Sequence, residues 1–313
     1  LKQGTDLTSS VSNTQLLCHV SGEHNPTLAG LDQKHSEDIT MHVKRVAGAL
    51  GAELKAVNLG EGLDTELAQT LRALLNEHEV LFLRDQSITP ADQKALAEIF
   101  GPLQTHPAYQ TVEALPEVMI LESTRENPSK IEQWHSDMTF RVHPPSVTVL
   151  RGMTIPEVGG DTLFASMTAA YDGLSVGMQE YLADLVAVHD FSHGFKESLS
   201  APGGRERLAD AVAANPPTRH PVIQTHPETG KKVLFVNPLF TTHIEGLPPL
   251  ESSEVLQFLW RHASLPEFTC RFQWQTNSLV LWDNRSTQHK PINDFFPATR
   301  RLHRVVSEGD RPY

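Results

Sequence analysis

The sequence is poor in cysteine, in long apolar runs and in basic charge. Two cysteines in 313 residues, Cys18 and Cys270, cannot build a disulfide framework or a zinc-finger set. Reduced thiols are therefore the expectation. No uninterrupted apolar stretch approaches the roughly 18–20 residues that span a bilayer. The opening LKQGTDLTSSVSNTQLL lacks the basic-then-apolar order of a secretory signal, so a cytoplasmic protein with no membrane association is expected. Twenty-six basic against 38 acidic residues give a net charge of −12, which argues against nucleic-acid binding through a phosphate-neutralising surface. A small anionic substrate remains compatible, because a local basic pocket can sit inside an acidic protein.

What is present is punctuation. Residues 1–38 are rich in Ser, Thr, Asn, Gln and Gly and read as a flexible N-terminal extension. From 39 to 313 the chain reads as one domain. Leu67, Leu71, Leu74 and Leu75 fall at helical spacing within 63–79. Thr89, Pro90 and Asp92 supply an N-cap, a first-turn proline and a capping box, with Gly101 as the stop. After Gly101 short β-branched and aromatic runs dominate, at 146–153, 162–165, 221–226, 232–237, 268–274, 278–283 and 301–307. PETG at 227–230 reads as a hairpin turn, and helices interrupt near 167–186 and 250–263. The fold class expected is mainly β with flanking helices, a double-sheet jelly roll.

The candidate chemistry lies in WHSDMTF at 134–140. On an extended strand residues two apart share a face, so His135 and Asp137 would aim an imidazole and a carboxylate at one point. The pair alone is weak evidence, since His-x-Asp/Glu also occurs at His35/Glu37, His226/Glu228 and His243/Glu245. His289, which ends WDNRSTQH, supplies a third donor. Two His and one carboxylate on one face of a metal suit iron(II) oxygen chemistry, and also a catalytic zinc hydrolase. Against the zinc alternative, no Glu near these residues is placed as a general base. Arg300 and Arg304 stand at i and i+4 of a strand-like run, so both guanidinium groups face one side, where only incoming anions would offset their repulsion.

In this order WHSDMTF, GGDT (159–162), WDNRSTQH and RRLHR (300–304) resemble the taurine dioxygenase family of Fe(II)/2-oxoglutarate-dependent oxygenases. LFLRDQSITPADQKALAEIFG, HPAY (106–109) and HPVIQTHPETGKKVLFVNPLFTT extend the resemblance over about residues 39–313. It implies Fe(II) held by His135, Asp137 and His289, with 2-oxoglutarate and O2 as co-substrates. It implies 2-oxoglutarate bound by Arg300 and Thr162, and substrate met by His106, Tyr109, Phe195, Phe240 and Arg304. The activity implied is hydroxylation of a small organosulfonate such as taurine at the carbon next to sulfur, releasing sulfite and an aldehyde with succinate and CO2. The same chemistry on an alkyl sulfate ester or an aryloxy-carboxylate is the alternative. A homo-oligomer is also implied. Two positions depart from the family's taurine pattern: Ile131 stands where an Asn is common and Gly194 where a Ser is common. Neither offers the side-chain hydrogen bond that an amine would use.

Overall fold

The structure, a computed structural model, describes residues 41–105 and 109–313; the extension expected over 1–38 and His106 lie outside them. In chain order the first strands are β1 (His42–Arg45), β2 (Ala52–Lys55), β3 (Val80–Leu83), β4 (Leu103–Gln104), β5 (Gln110–Val112), β6 (Leu115–Ser123), β7 (Val147–Thr154) and β8 (Thr162–Ser166). There follow β9 (Val186–His189), β10 (Thr218–Pro221), β11 (Ile223–Thr225), β12 (Lys232–Leu234), β13 (Thr241–Ile244), β14 (Thr269–Phe272), β15 (Leu279–Asp283), β16 (Thr287–Pro291) and β17 (Arg300–Ser307). Helices α1 (Thr65–His78) and α2 (Pro90–Glu98) flank β3, and a further long helix spans Pro249–Ala263.

A nine-stranded sheet has the order β1-β2-β3-β15-β7-β17-β6-β5, with β4 on β17. Among the described strands its one parallel pairing is β2 with β3. A second sheet has the order β14-β8-β16. Alternation sorts side chains between the layers. Leu279 and Leu281 of β15, with Leu81 and Leu83 of β3, join Leu71, Leu75 and Leu96 in a core beneath α1 and α2. Val280 and Trp282 face the opposite way and meet Phe164, Phe272 and Trp274 of the second sheet and its flank. Both faces of β15 are thus buried, which explains a strand without polar alternation. Burying each of these leucines contributes about 1.5–3 kcal/mol.

Local signals act as expected in several places. Asp64 accepts from Leu67 N at 2.8 Å and caps α1. Thr89 and Asp92 form a reciprocal capping box at the start of α2. The PETG turn joins β11 to β12, antiparallel, with Gly230 at φ +69°.

One expectation fails: residues 134–140 are not a strand. His135 makes a single bridge to His289, and the chain turns at once, with Met138 at φ +47°. The segment leaves β16 after that one bridge, so tertiary contacts rather than period-two geometry aim Asp137. Short helices between Phe191 and Ala214 also lay outside the sequence reading, each being four to six residues and too brief to carry a helical period.

Candidate metal centre and anion pocket

His135 and His289 face each other as a backbone-bonded pair, His135 N to His289 O at 3.0 Å and His289 N to His135 O at 2.8 Å. Such pairing fixes the two imidazoles side by side, with ring centroids 4.2 Å apart. Asp137 is brought in by a clamp. Its amide donates to Asn284 Oδ1 at 2.6 Å, while Asn284 Nδ2 donates to the carbonyls of Asp137 at 3.0 Å and Pro145 at 3.1 Å. Donor atoms of His135, Asp137 and His289 lie within 4.8 Å of one another, and all three residues are buried. No other group of His, Cys, Asp and Glu among the described residues gathers in this way.

The donor set fits a divalent first-row ion. His135 Nδ1 lies 2.9 Å from the Gln133 carbonyl, so that nitrogen carries the proton and Nε2 keeps its lone pair. Burial lowers the proton affinity of His135, and it pushes His289 down to about 3, with the neighbouring His135 adding to the shift. Two neutral imidazoles thus flank one carboxylate. Burial by itself raises the Asp137 carboxyl, but Arg304, the two imidazoles and the Thr148 hydroxyl more than offset it, and the net shift is downward. His289 Nδ1 is buried without a partner. Two His and one carboxylate with other positions open suit a non-haem Fe(II) oxygenase.

Two arginines from β17 line one side. Arg304 is buried, with Nη1 at 3.3 Å from Asp137 Oδ1 and its guanidinium 5.0 Å from the Tyr109 ring centroid. Arg300 lies over Trp274 at 5.5 Å and reaches Thr162 Oγ1 through Nη2 at 3.3 Å. Trp274 Nε1 donates to the same oxygen at 3.0 Å. With both lone pairs of Thr162 Oγ1 engaged, its hydroxyl proton is left to donate to an incoming acceptor. Burial draws Arg300 down to about 10, so it stays charged at neutral pH, and its Nε has no partner. The second glycine of GGDT makes room for it. Gly160 has φ +71°, and a Cβ there would stand 3.2 Å from Arg300 Cδ.

The remaining wall is apolar. Phe140, Phe191, Phe195 and Phe240 pack together, with Ile131 and Tyr109 against them. The Phe240 ring is 6.3 Å from that of His135. A Cβ on Gly194 would lie 2.4 Å from Phe240 Cε1, so the missing side chain is what lets this ring sit where it does. The two other His-x-acid pairs among the described residues join no metal-binding group. His226 is buried and 3.0 Å from Asp283, while Glu228 bonds Arg285 at 2.8 Å. His243 is exposed, and His35/Glu37 lie outside the described residues. Sequence reading passed over Asn284, Thr148 and Trp274. Asn284 stands inside the quoted WDNRSTQH, and only its distance from Asp137 along the chain hid the clamp.

A family model described as "Taurine catabolism dioxygenase TauD, TfdA family" matches residues 42–306. The chain belongs to that family. It is an enzyme, a 2-oxoglutarate-dependent dioxygenase using Fe(II) and O2. Among its relatives is the alkylsulfatase of Acinetobacter baylyi, 34% identical over 274 residues, which are 86% of this chain and 86% of that protein. A putative alpha-ketoglutarate-dependent sulfonate dioxygenase of Schizosaccharomyces pombe is 33% identical, over 88% of this chain and 71% of its own. The crystal structure of a taurine dioxygenase from Burkholderia xenovorans superposes with a TM-score of 0.75 at 35% identity, covering 87% of this chain and 90% of that one. In this dioxygenase, as in the expectation, helices accompany a mainly β body.

Proposed function

We propose that this dioxygenase hydroxylates the carbon next to the sulfur-bearing anion of a small organosulfonate, taurine among the candidates. One oxygen atom of O2 would enter the substrate and the other the succinate formed with CO2 from 2-oxoglutarate. The hydroxylated product would break down to an aldehyde and sulfite. The observation that carries this reading is the buried Arg304 guanidinium, 3.3 Å from the Asp137 carboxylate, where an anion held on it lies beside the metal centre.

In this reading His135, Asp137 and His289 hold Fe(II), whose chemistry when bound is the activation of dioxygen. Arg300 and the Thr162 hydroxyl bind the distal carboxylate of 2-oxoglutarate; a planar guanidinium fork suits two carboxylate oxygens. Arg304 anchors the substrate anion and thereby places the adjoining C–H toward the centre. Tyr109, Phe195 and Phe240 exclude water from that space, and His106 is proposed as a further contact to the anion. The body that carries the site is read as a double-stranded β-helix, supported by the core shared between the nine-stranded sheet and β14-β8-β16. A homo-oligomer belongs to the same proposal, and light scattering tests it.

The apolar wall at Ile131 and Gly194 favours a second reading on the same machinery, an alkyl sulfate ester in place of an aminated sulfonate. An aryloxy-carboxylate is the remaining candidate. Oxygen uptake by the iron-loaded enzyme with 2-oxoglutarate, read beside sulfite release, tests these readings. Taurine, unsubstituted alkanesulfonates, alkyl sulfates and aryloxyacetates would be offered in turn. Coupled uptake with a sulfonate supports the first reading. Uptake with aryloxyacetates alone would overturn the assignment to sulfur-bearing substrates.

A further inference from the structure

A groove of about 490 Å³ is lined by Gln104, Phe140, Arg141, His143, Asn215 and Thr218, with Glu308 also contributing. Its cation is Arg141, half-buried and bonded through Nη1 to a neutral acceptor, Gln104 Oε1, at 2.9 Å. Among the described residues no ion pair within 4.0 Å compensates this guanidinium. A guanidinium has five N–H donors, so one amide oxygen leaves most of them unengaged by that bond. The base of the side chain is held firmly. The Arg141 carbonyl lies 3.0 Å from His220 Nε2, which also meets the Thr139 carbonyl at 2.9 Å and must therefore carry the proton.

Register ties this groove to the anion pocket. Gln104 pairs with Val306, two residues along β17 from Arg304. Alternate residues of a strand share a face about 7 Å apart. Phe140 belongs to both spaces: it lines the groove, and its ring lies 5.0 Å from that of Phe240 in the pocket wall. Burial lowers the proton affinity of Arg141, the Arg304 charge lowers it further, and Glu308 opposes. Glu308 is exposed, where water and salt screen it.

We propose that the groove is a distal subsite for a second anionic group, so that preferred substrates carry a carboxylate at the far end of an alkyl chain from the sulfur-bearing anion. Arg141 is then the residue that selects dianions over monoanions. The inference rests on the reading of Arg304 as anchor for the first anion.

Sulfoalkanoates of increasing chain length, compared with alkanesulfonates of matching length, test this on the iron-loaded enzyme with 2-oxoglutarate. The wild type should show a lower KM for a sulfoalkanoate of suitable length. R141Q should raise that KM about tenfold more than it raises the alkanesulfonate KM, the worth of one charge-assisted hydrogen bond. R141K, which keeps the charge, should recover part of the difference. Equal KM values for the two series in the wild type, or an equal rise in R141Q, would overturn the subsite. Calorimetric binding of the same sulfoalkanoates without oxygen separates the two proposals. Arg141-dependent binding without turnover would sink the sulfonate reaction and keep the groove. Turnover of alkanesulfonates with no preference for dianions would do the reverse.

Discussion

Arg304 is the side chain that joins the metal centre to the anion pocket, and its environment makes its removal informative. It contributes to holding Asp137 ionised, yet Asp137 Oδ2 keeps a second support in the Thr148 hydroxyl at 3.1 Å. Arg304→Ala should therefore raise the substrate KM by about 100-fold, the cost of losing one side of a buried charge contact. Metal affinity should fall far less, and titration of the variant with Fe(II) under argon would show this. Glu79 offers a test of stability instead. Burial raises its carboxyl from 4.5 to about 7, against the lowering effect of the Ser166 and Thr168 hydroxyls, while the Asp283 charge adds to the rise. Below pH 4.5 the group is protonated in both states. As pH climbs from there toward 7, the unfolded chain releases a proton that the folded state retains, so stability declines. The loss is complete above about 7 and comes to about 3 kcal/mol. Buried histidines such as His220, lowered from 6.5 to about 4, give the opposite slope in both proteins, so the test is the difference. Urea melts should show E79Q gaining on the wild type as pH rises from 4.5 to above 7.

At the scale of elements, the turn between β15 and β16 does the positioning. Asp283 and Arg285 anchor it to the β11–β12 hairpin through His226 and Glu228, and Asn284 grips the backbone of Asp137. Removing that grip in N284A should weaken metal binding by about 10–100-fold, the usual effect of losing a partner that orients a ligand. Anaerobic metal titration checks it. The short helix Phe191–Gly194 sets the pocket wall. Restoring a side chain there as G194S would drive Phe240 from its place and cost about 1–3 kcal/mol by overpacking, read as a drop in denaturation midpoint. Elements with strong local chemistry were legible beforehand: the capping box of α2, the leucine stripe of α1 and the PETG hairpin. β1 was not, because HVKR is exposed throughout and has no apolar face to betray it.

For the whole molecule, a site assembled from segments as distant in sequence as Asp137 and His289 exists only in the folded chain, so metal binding must favour folding. Fe(II), or Mn(II) in its place, at about 100 times its Kd should add about 2.7 kcal/mol. Thermal denaturation with and without metal should reveal that rise in the wild type and lose most of it in H289A. No described helix is long and apolar enough to cross a membrane.

The types of donor, their order along the chain and the paired arginines of β17 were readable from residues alone, because metal and carboxylate chemistry admits few side chains. How Asp137 reaches the centre was not. Period-two geometry predicted a strand, whereas a lone bridge, a turn and the Asn284 clamp do the work. Likewise no local pattern reveals that a missing side chain at 194 seats Phe240, or that Arg141 has no ion pair within 4.0 Å among the described residues. These depend on which segments fold against each other, and contacts between distant segments leave no periodic trace in the sequence.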